Sequence, residues 1–218
     1  MYIFYLFFIL VIILVFWTPN QPENFATRKE EEYVKLLDKT AKALRSIDVP
    51  FFLSSGTCLG YFRENKILDH DYDIDIGVMR RDFKPEILQA MYQQGFKLKN
   101  AIGDLESGLE YQFLYPNNPL GKRARVDIFV HYDELVNDEN HIYWVSANLR
   151  ENPPKKIKYR VKNFGIKNVK FYDIDVGIPE DTEKYLEQHY GLDWRIPRIP
   201  GKQYFFASSP VSIVKDFI

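Results

Sequence analysis

Two carboxylates placed two residues apart on an extended strand project from the same face, and Asp73-Ile74-Asp75 is such a pair. So placed, they can share one or two divalent cations. A third carboxylate, Asp127, sits in Arg125-Val126-Asp127-Ile128-Phe129-Val130, a run otherwise apolar enough for a core strand. A lone Asp buried there is costly unless it meets a cation or another partner. Upstream, Ser55-Gly56-Thr57 follows the short apolar run Phe51-Phe52-Leu53. A Gly-bearing turn of that type exposes backbone N–H groups and a hydroxyl to a phosphate. Hard oxygen ligands and N–H donors are the parts of a metal-dependent phosphoryl-transfer site. The candidate catalytic and metal-holding residues are therefore Asp73, Asp75 and Asp127, with Mg2+ (or Mn2+) as the cation. Ser55, Gly56, Thr57 and the nearby Arg63 are the candidates for the donor's phosphates.

The same pattern occurs twice. Asp173-Ile174-Asp175 repeats the spacing, but no Gly-bearing turn or third carboxylate accompanies it, and a solvated strand edge explains it as well. Lys155, Lys156, Lys158, Arg160 and Lys162 form a basic stretch that reads as a solvated face, or as one that steers an anionic glycan or nucleotide. Cys58 reads as a small core residue, because no electropositive helix start or fixed histidine flanks it. His70 reads as a loop histidine near the site, and Tyr190, Trp194 and Tyr204 as packing groups for the C-terminal segment.

The elements that must position these groups alternate along the chain. Tyr33, Leu36, Leu37, Ala41 and Leu44 recur at helical spacing between about Arg28 and Ile47. Pro50 breaks that helix, and Phe51–Leu53 suits a buried strand. After the Ser54–Thr57 turn, Cys58 to Glu64 opens a helix. Ile74–Met79 alternates as a strand, Phe83–Gln94 is helical, and Leu109–Tyr115 and Arg125–His131 are strands. Lys170–Ile178 reads as one further strand, and Asp181–Tyr190 as a helix stopped by Gly191. Trp194–Pro210 has three prolines and no period. The class is mixed α/β, with the chemistry on strand ends and turns.

Composition bounds the alternatives. The chain has 218 residues, 29 basic against 30 acidic, one cysteine and 16% aromatic residues. Disorder and disulfide scaffolds are excluded, and a net charge of −1 argues against wrapping nucleic acid through phosphate contacts. The composition changes sharply at the start. Met1–Trp17 carries no charge, Gly or Pro, and would reach ~25 Å as a helix, workable in a thin bilayer. No basic region precedes it and no small-residue cleavage site follows, so the expectation is an uncleaved membrane anchor. The expected organisation is an anchor over 1–17, a stalk over 18–27 and one catalytic domain over 28–218.

The order and wording of the segments carry a resemblance. Leu53-Ser-Ser-Gly-Thr-Cys-Leu-Gly60, Arg63, Asp73-Ile-Asp-Ile-Gly77 and Val126-Asp-Ile-Phe129 resemble the fukutin and LicD family of phosphotransferases. The likeness continues through Ile178-Pro179, Tyr185-Leu-Glu187, Tyr190-Gly191, Trp194 and Pro197, and Leu109-Glu110 with the first segment leans toward the fukutin branch. The resemblance implies a nucleotidyltransferase-like fold, a mixed sheet flanked by helices. It also implies transfer of a phosphorylated alcohol, such as ribitol phosphate, from a CDP-linked donor to a sugar hydroxyl of a glycan acceptor. Asp73 and Asp75 would hold the metal, Asp127 would complete the site or accept the acceptor's proton, and Gly56 and Thr57 would meet the phosphates. Where LicD proteins show W-D-D-D-I-D, this chain reads His70-Asp71-Tyr72-Asp73-Ile74-Asp75, which leaves Asp71 without an assigned role. By the same resemblance the domain belongs in the Golgi or ER lumen. CDP-choline is the second donor, a silent anchored scaffold the competing class, and an NTP-using nucleotidylating enzyme a third reading.

Overall fold

The computed structural model describes residues 23–116, 118–120, 124–148 and 155–197. The expected anchor over 1–17 lies outside them, and among the described residues no helix is long and apolar enough to cross a membrane. The first helix, α1, spans Glu23–Arg45 and so begins inside the stretch expected as a stalk. It forms because Tyr33, Leu36, Leu37, Thr40, Ala41 and Leu44 fall on one stripe, and all six are buried. Each fully buried Leu contributes about 1.5–3 kcal/mol. Leu37→Ala would open a cavity where that stripe meets the sheet, at a cost of about 2–5 kcal/mol.

The chain then runs through β1 (Phe52–Leu53), α2 (Ser55–Glu64), β2 (Asp73–Met79), α3 (Ile87–Gln93), β3 (Lys97–Asp104) and β4 (Gly108–Leu114). It continues through β5 (Arg125–Val136), β6 (Glu139–Asn148), β7 (Lys155–Lys162), β8 (Ile166–Phe171), β9 (Ile174–Pro179) and α4 (Thr182–Tyr190). Nine strands make one mixed sheet in the order β3-β4-β5-β2-β1-β9-β8, with β6 and β7 added on the far half of β5. β2 pairs parallel with β5, and β1 pairs parallel with β9. This is the expected mixed sheet flanked by helices. α1 lies across β2, β5 and β9, α2 over β2, and α4 over β7 and β9.

Several local readings are corrected. The Ser54–Thr57 turn is the first turn of α2, which starts at Ser55 and ends where Asn65 turns left-handed (φ 51°). The helix expected over 83–94 is cut to α3, because Pro85 follows a 3-10 turn at Arg80–Asp82. Lys170–Ile178 is a hairpin instead of one strand: Tyr172 and Asp173 take φ of 50° and 61° and turn β8 into β9, a mirror-image turn that matches the twist of paired strands. Strands β3, β6 and β7 were not expected. In β2, Gly77 lies in register with Phe52, whose ring occupies the space a Cβ would need.

Candidate active site

Register brings the chemistry together. The parallel β2–β5 pairing sets Asp73 beside Arg125 and Asp75 beside Asp127. All four therefore project from the same face, while Ile74, Ile76 and Val78 fill the core behind them. Carboxylate oxygens of Asp73, Asp75 and Asp127 lie within 4.8 Å of one another. Three oxygen donors at that spacing suit a hard divalent cation.

The three line a cavity of about 230 Å³ together with Ser55, Gly56, His70, Asp71, Arg125, Trp144, Tyr159, His189 and Tyr190, among others. Two roomier clefts, about 550 Å³ beside α4 and about 690 Å³ beside β1 and β9, also carry carboxylates on their walls, but among the described residues the acidic cluster spaced for a metal ion lies in the smaller cavity.

Electrostatics mark the cavity further. Burial raises the Asp75 carboxyl well above the carboxylate range, and Asp73, Asp71 and Asp127 push it the same way. Burial also raises Asp127 well above that range, outweighing the opposing pull of Arg125. Asp71, pressed by burial and by Asp73, is pushed up to about 7. Carboxylates crowded in this way disfavour one another's charge, an effect that a bound cation would relieve.

The N-terminus of α2 holds Asp75 in place. The Gly56 N–H donates to Asp75 Oδ2 (2.8 Å), and the Asp75 N–H donates to the Thr57 hydroxyl (2.8 Å). One residue earlier, the Ser55 N–H donates to the Tyr185 hydroxyl (2.9 Å), which also lies 3.2 Å from Ser54 Oγ. Ser55 itself sits at φ 40°, a strained position for a non-glycine residue and one that concentrates at functional sites. Gly56 is required for room: a Cβ there would stand 2.6 Å from Asp71 Oδ2 and 3.1 Å from Asp75 Oδ2.

These contacts change the expected division of labour. The N–H groups of Ser55 and Gly56 are engaged inside the fold, and buried Thr57 lies beneath the cavity with its hydroxyl turned to β2. The buried Asp75 carboxylate takes the donor it needs from the turn. Ser55 and Gly56 still border the cavity. Arg63 does not: its guanidinium bonds Glu64 and reaches the Trp194 carbonyl at 3.2 Å, tying α2 to the segment after α4.

Asp71, Arg125, His70, Trp144, Tyr159, His189 and Tyr190 are the cavity residues that the motif reading did not assign. Asp71 carried a signal, since it continues the two-residue spacing of Asp73 and Asp75. His70 and Arg125 flank the acidic motifs in sequence and Tyr190 falls in the closing segment, whereas Trp144, Tyr159 and His189 gave no signal, because β6, β7 and α4 reach the cavity only through tertiary folding. At its inner end, Trp144 stacks between His131 (4.8 Å) and Tyr159 (5.3 Å), with His189 edge-on at 5.0 Å. Burial holds both histidines neutral, pushing each down to about 3. Within the basic stretch, Lys158 and Arg160 pair with Glu134 (2.5 and 2.6 Å) and Lys162 pairs with Glu139 (3.1 Å).

Comparison with known proteins agrees with this geometry. The LicD/FKTN/FKRP nucleotidyltransferase domain model matches residues 48–181. The ribitol-5-phosphate transferase FKTN of Mus musculus is 35% identical over 82% of this chain and 36% of its own length, and that of Homo sapiens is 34% identical over the same shares. An uncharacterised protein of Rickettsia prowazekii is 26% identical over 75% of the chain and 55% of its own length. The chain thus spans about a third of the FKTN proteins it matches. With its metal-ready carboxylates inside the matched region, the chain belongs to the LicD/FKTN/FKRP family, on the fukutin branch.

Proposed function

We propose that this chain is a metal-dependent phosphotransferase that moves ribitol phosphate, or a related phospho-alcohol, from a CDP-linked donor to a sugar hydroxyl of a glycan. The observation that carries the reading is the convergence of Asp73, Asp75 and Asp127 within 4.8 Å in one cavity. The names of the FKTN relatives supply the phospho-alcohol.

Asp73, Asp75 and Asp127 would hold Mg2+ or Mn2+. That ion would neutralise charge on the donor's phosphates as the bond to the leaving group lengthens. In the reaction the acceptor oxygen forms a bond to the phosphorus that carries the alcohol. The bridging oxygen leaves with CMP, and the hydroxyl proton passes to a cavity carboxylate and then to solvent. Ser55 and Gly56 would border the phosphates, with Gly56 leaving room for the Asp71 and Asp75 carboxylates beside them. Thr57 and Arg63 would act indirectly, the first by fixing Asp75 and the second by holding the segment that carries Trp194. A membrane anchor over 1–17 and a Golgi or ER lumenal location belong to the same proposal.

The aromatic wall of Trp144, Tyr159 and Tyr190 favours one second reading, phosphocholine transfer from CDP-choline, since quaternary ammonium groups bind aromatic faces. The experiment is CMP release from CDP-ribitol and CDP-choline by the purified chain with Mg2+ and a glycan acceptor. Release from CDP-ribitol alone supports the first reading and release from CDP-choline alone the second. Metal-independent release, or none, overturns both.

A further inference from the structure

The acidic cavity already contains a cation of its own. Arg125 stands two residues before Asp127 on β5 and beside Asp73 across the parallel register, so its side chain emerges among the carboxylates. Its Nε lies 3.0 and 2.9 Å from the two Asp127 oxygens, and its Nη2 is ion-paired with Asp73. The guanidinium therefore bridges two of the three groups that a metal would need. A divalent ion placed on Asp73 and Asp127 would meet a positive charge bonded to the same two carboxylates, and like charges at that range repel. The two cations compete for these carboxylates.

The arginine is the one that can move. Its side chain is 32% exposed where that of Asp127 is 4% exposed, so it has an outward path. A planar guanidinium fork matches phosphate oxygens as well as it matches a carboxylate, which a lysine does not. Arg125 also lines the cavity, so a small swing keeps it within reach of whatever anion enters.

We propose that Arg125 is the counter-ion of the metal-free cavity and that metal entry transfers its guanidinium from Asp73 and Asp127 to the donor's diphosphate. This rests on the phosphotransferase reading and adds an order to it: one cation exchanges for another, and the displaced one becomes a specificity residue for phosphate. Without metal, the arginine keeps the carboxylates apart from bulk cations. With metal, it recruits the nucleotide.

The test uses the purified chain, Mn2+ titrations followed by electron paramagnetic resonance, and CDP as the probe nucleotide. Arg125→Gln removes the competing charge, so Mn2+ alone should bind about tenfold tighter, while CDP at saturating Mn2+ should bind at least about tenfold more weakly. Arg125→Lys should bind CDP with intermediate affinity. Unchanged or weaker Mn2+ binding by a folded Arg125→Gln variant overturns the proposal, and so does unchanged CDP binding. Should that variant not fold, the wild-type chain still decides. The Arg125 Nε–H resonance should shift on saturation with diamagnetic Mg2+, and a resonance that stays put overturns the exchange. Wild-type protein that binds neither Mn2+ nor CDP sinks the phosphotransferase reading as well. Wild-type binding of both, with Arg125→Gln indistinguishable, sinks only the exchange.

Discussion

Asp73-Ile74-Asp75 and Asp173-Ile174-Asp175 are one tripeptide in two settings. The first enters a central strand held between β1 and β5, and its carboxylates face Asp127 and the N-terminus of α2. The second follows a hairpin turn, with Asp173 left-handed in the turn and Asp175 paired to Lys170 at 2.9 Å, its side chain 68% exposed. Arg45 reaches the Asp175 backbone carbonyl there, and its carboxylate stays in solvent. Position in the sheet, not the tripeptide, decides which pair acquires chemistry: a parallel partner strand with its own Asp in register makes a cluster, whereas a Lys across a hairpin makes a surface ion pair of little energetic weight.

The largest expected contrast is in turnover. Asp75→Asn or Asp127→Asn should lower CMP release by on the order of 10²–10³-fold or more with the fold retained, while Asp175→Asn should leave the rate within assay error. A hundredfold loss in the Asp175 variant would reverse the comparison. Gly56→Ala should come next: its methyl group would push on Asp71 and Asp75, so a 10–100-fold loss is expected, read against circular dichroism to confirm folding.

Stability should separate the two settings more gently. Thr57→Val removes the acceptor of the Asp75 N–H, and denaturant unfolding should show a loss of about 1–3 kcal/mol. Lys170→Ala, at the exposed pair, should not move the unfolding midpoint measurably. Tyr185→Phe should resemble Thr57→Val, because it orphans the Ser55 N–H while keeping the ring in place.

The smallest and most diagnostic contrast is in pH dependence. Asp75 has its folded pKa raised by burial, so the metal-free protein is favoured below the ordinary carboxylate pKa and loses that advantage as pH rises through the folded value. Asp75→Asn should therefore be more stable than wild type near pH 7 without metal, and the gain should vanish toward pH 4. Asp175 is shifted the other way by its hydrogen bond from Lys170, so its contribution is present above the ordinary pKa and fades as pH falls. Asp175→Asn should show no gain at neutral pH. Thermal unfolding of both variants across pH 4–8, with chelator present, gives the comparison.

Much of this was legible from residues alone. Two-residue spacing marked Asp73 and Asp75, an apolar frame marked Asp127, and the helical stripe of α1 was plain in Leu36, Leu37, Ala41 and Leu44. Other features were hidden for physical reasons. In β7, Ile157, Tyr159 and Val161 alternate as a strand should, but the intervening Lys158, Arg160 and Lys162 made the stretch read as a charged face; their acidic partners lie on β5 and β6. The Tyr172-Asp173 turn contains no glycine, so nothing divided β8 from β9 in advance. Thr57 and Arg63, expected at the phosphates, have partners that only the fold reveals: Thr57 accepts from the Asp75 N–H, and Arg63 bonds Glu64 and the Trp194 carbonyl. Arg125 looked like a flanking strand residue until the register put it beside Asp73.

The bond between the Ser55 N–H and the Tyr185 hydroxyl closes a loop of 130 positions, and β1 pairs with its parallel partner β9 where Phe52 lies in register with Gly177. Contacts this distant make folding slow. They also impose an order on synthesis: at about 5–20 residues per second, β1 waits on the order of ten seconds for β9. During that interval its open edge is exposed to other chains. The α2 N-terminus cannot be fastened to Tyr185 until α4 has been made, so a nascent chain carries Asp73, Asp75 and Asp127 before that bond can form.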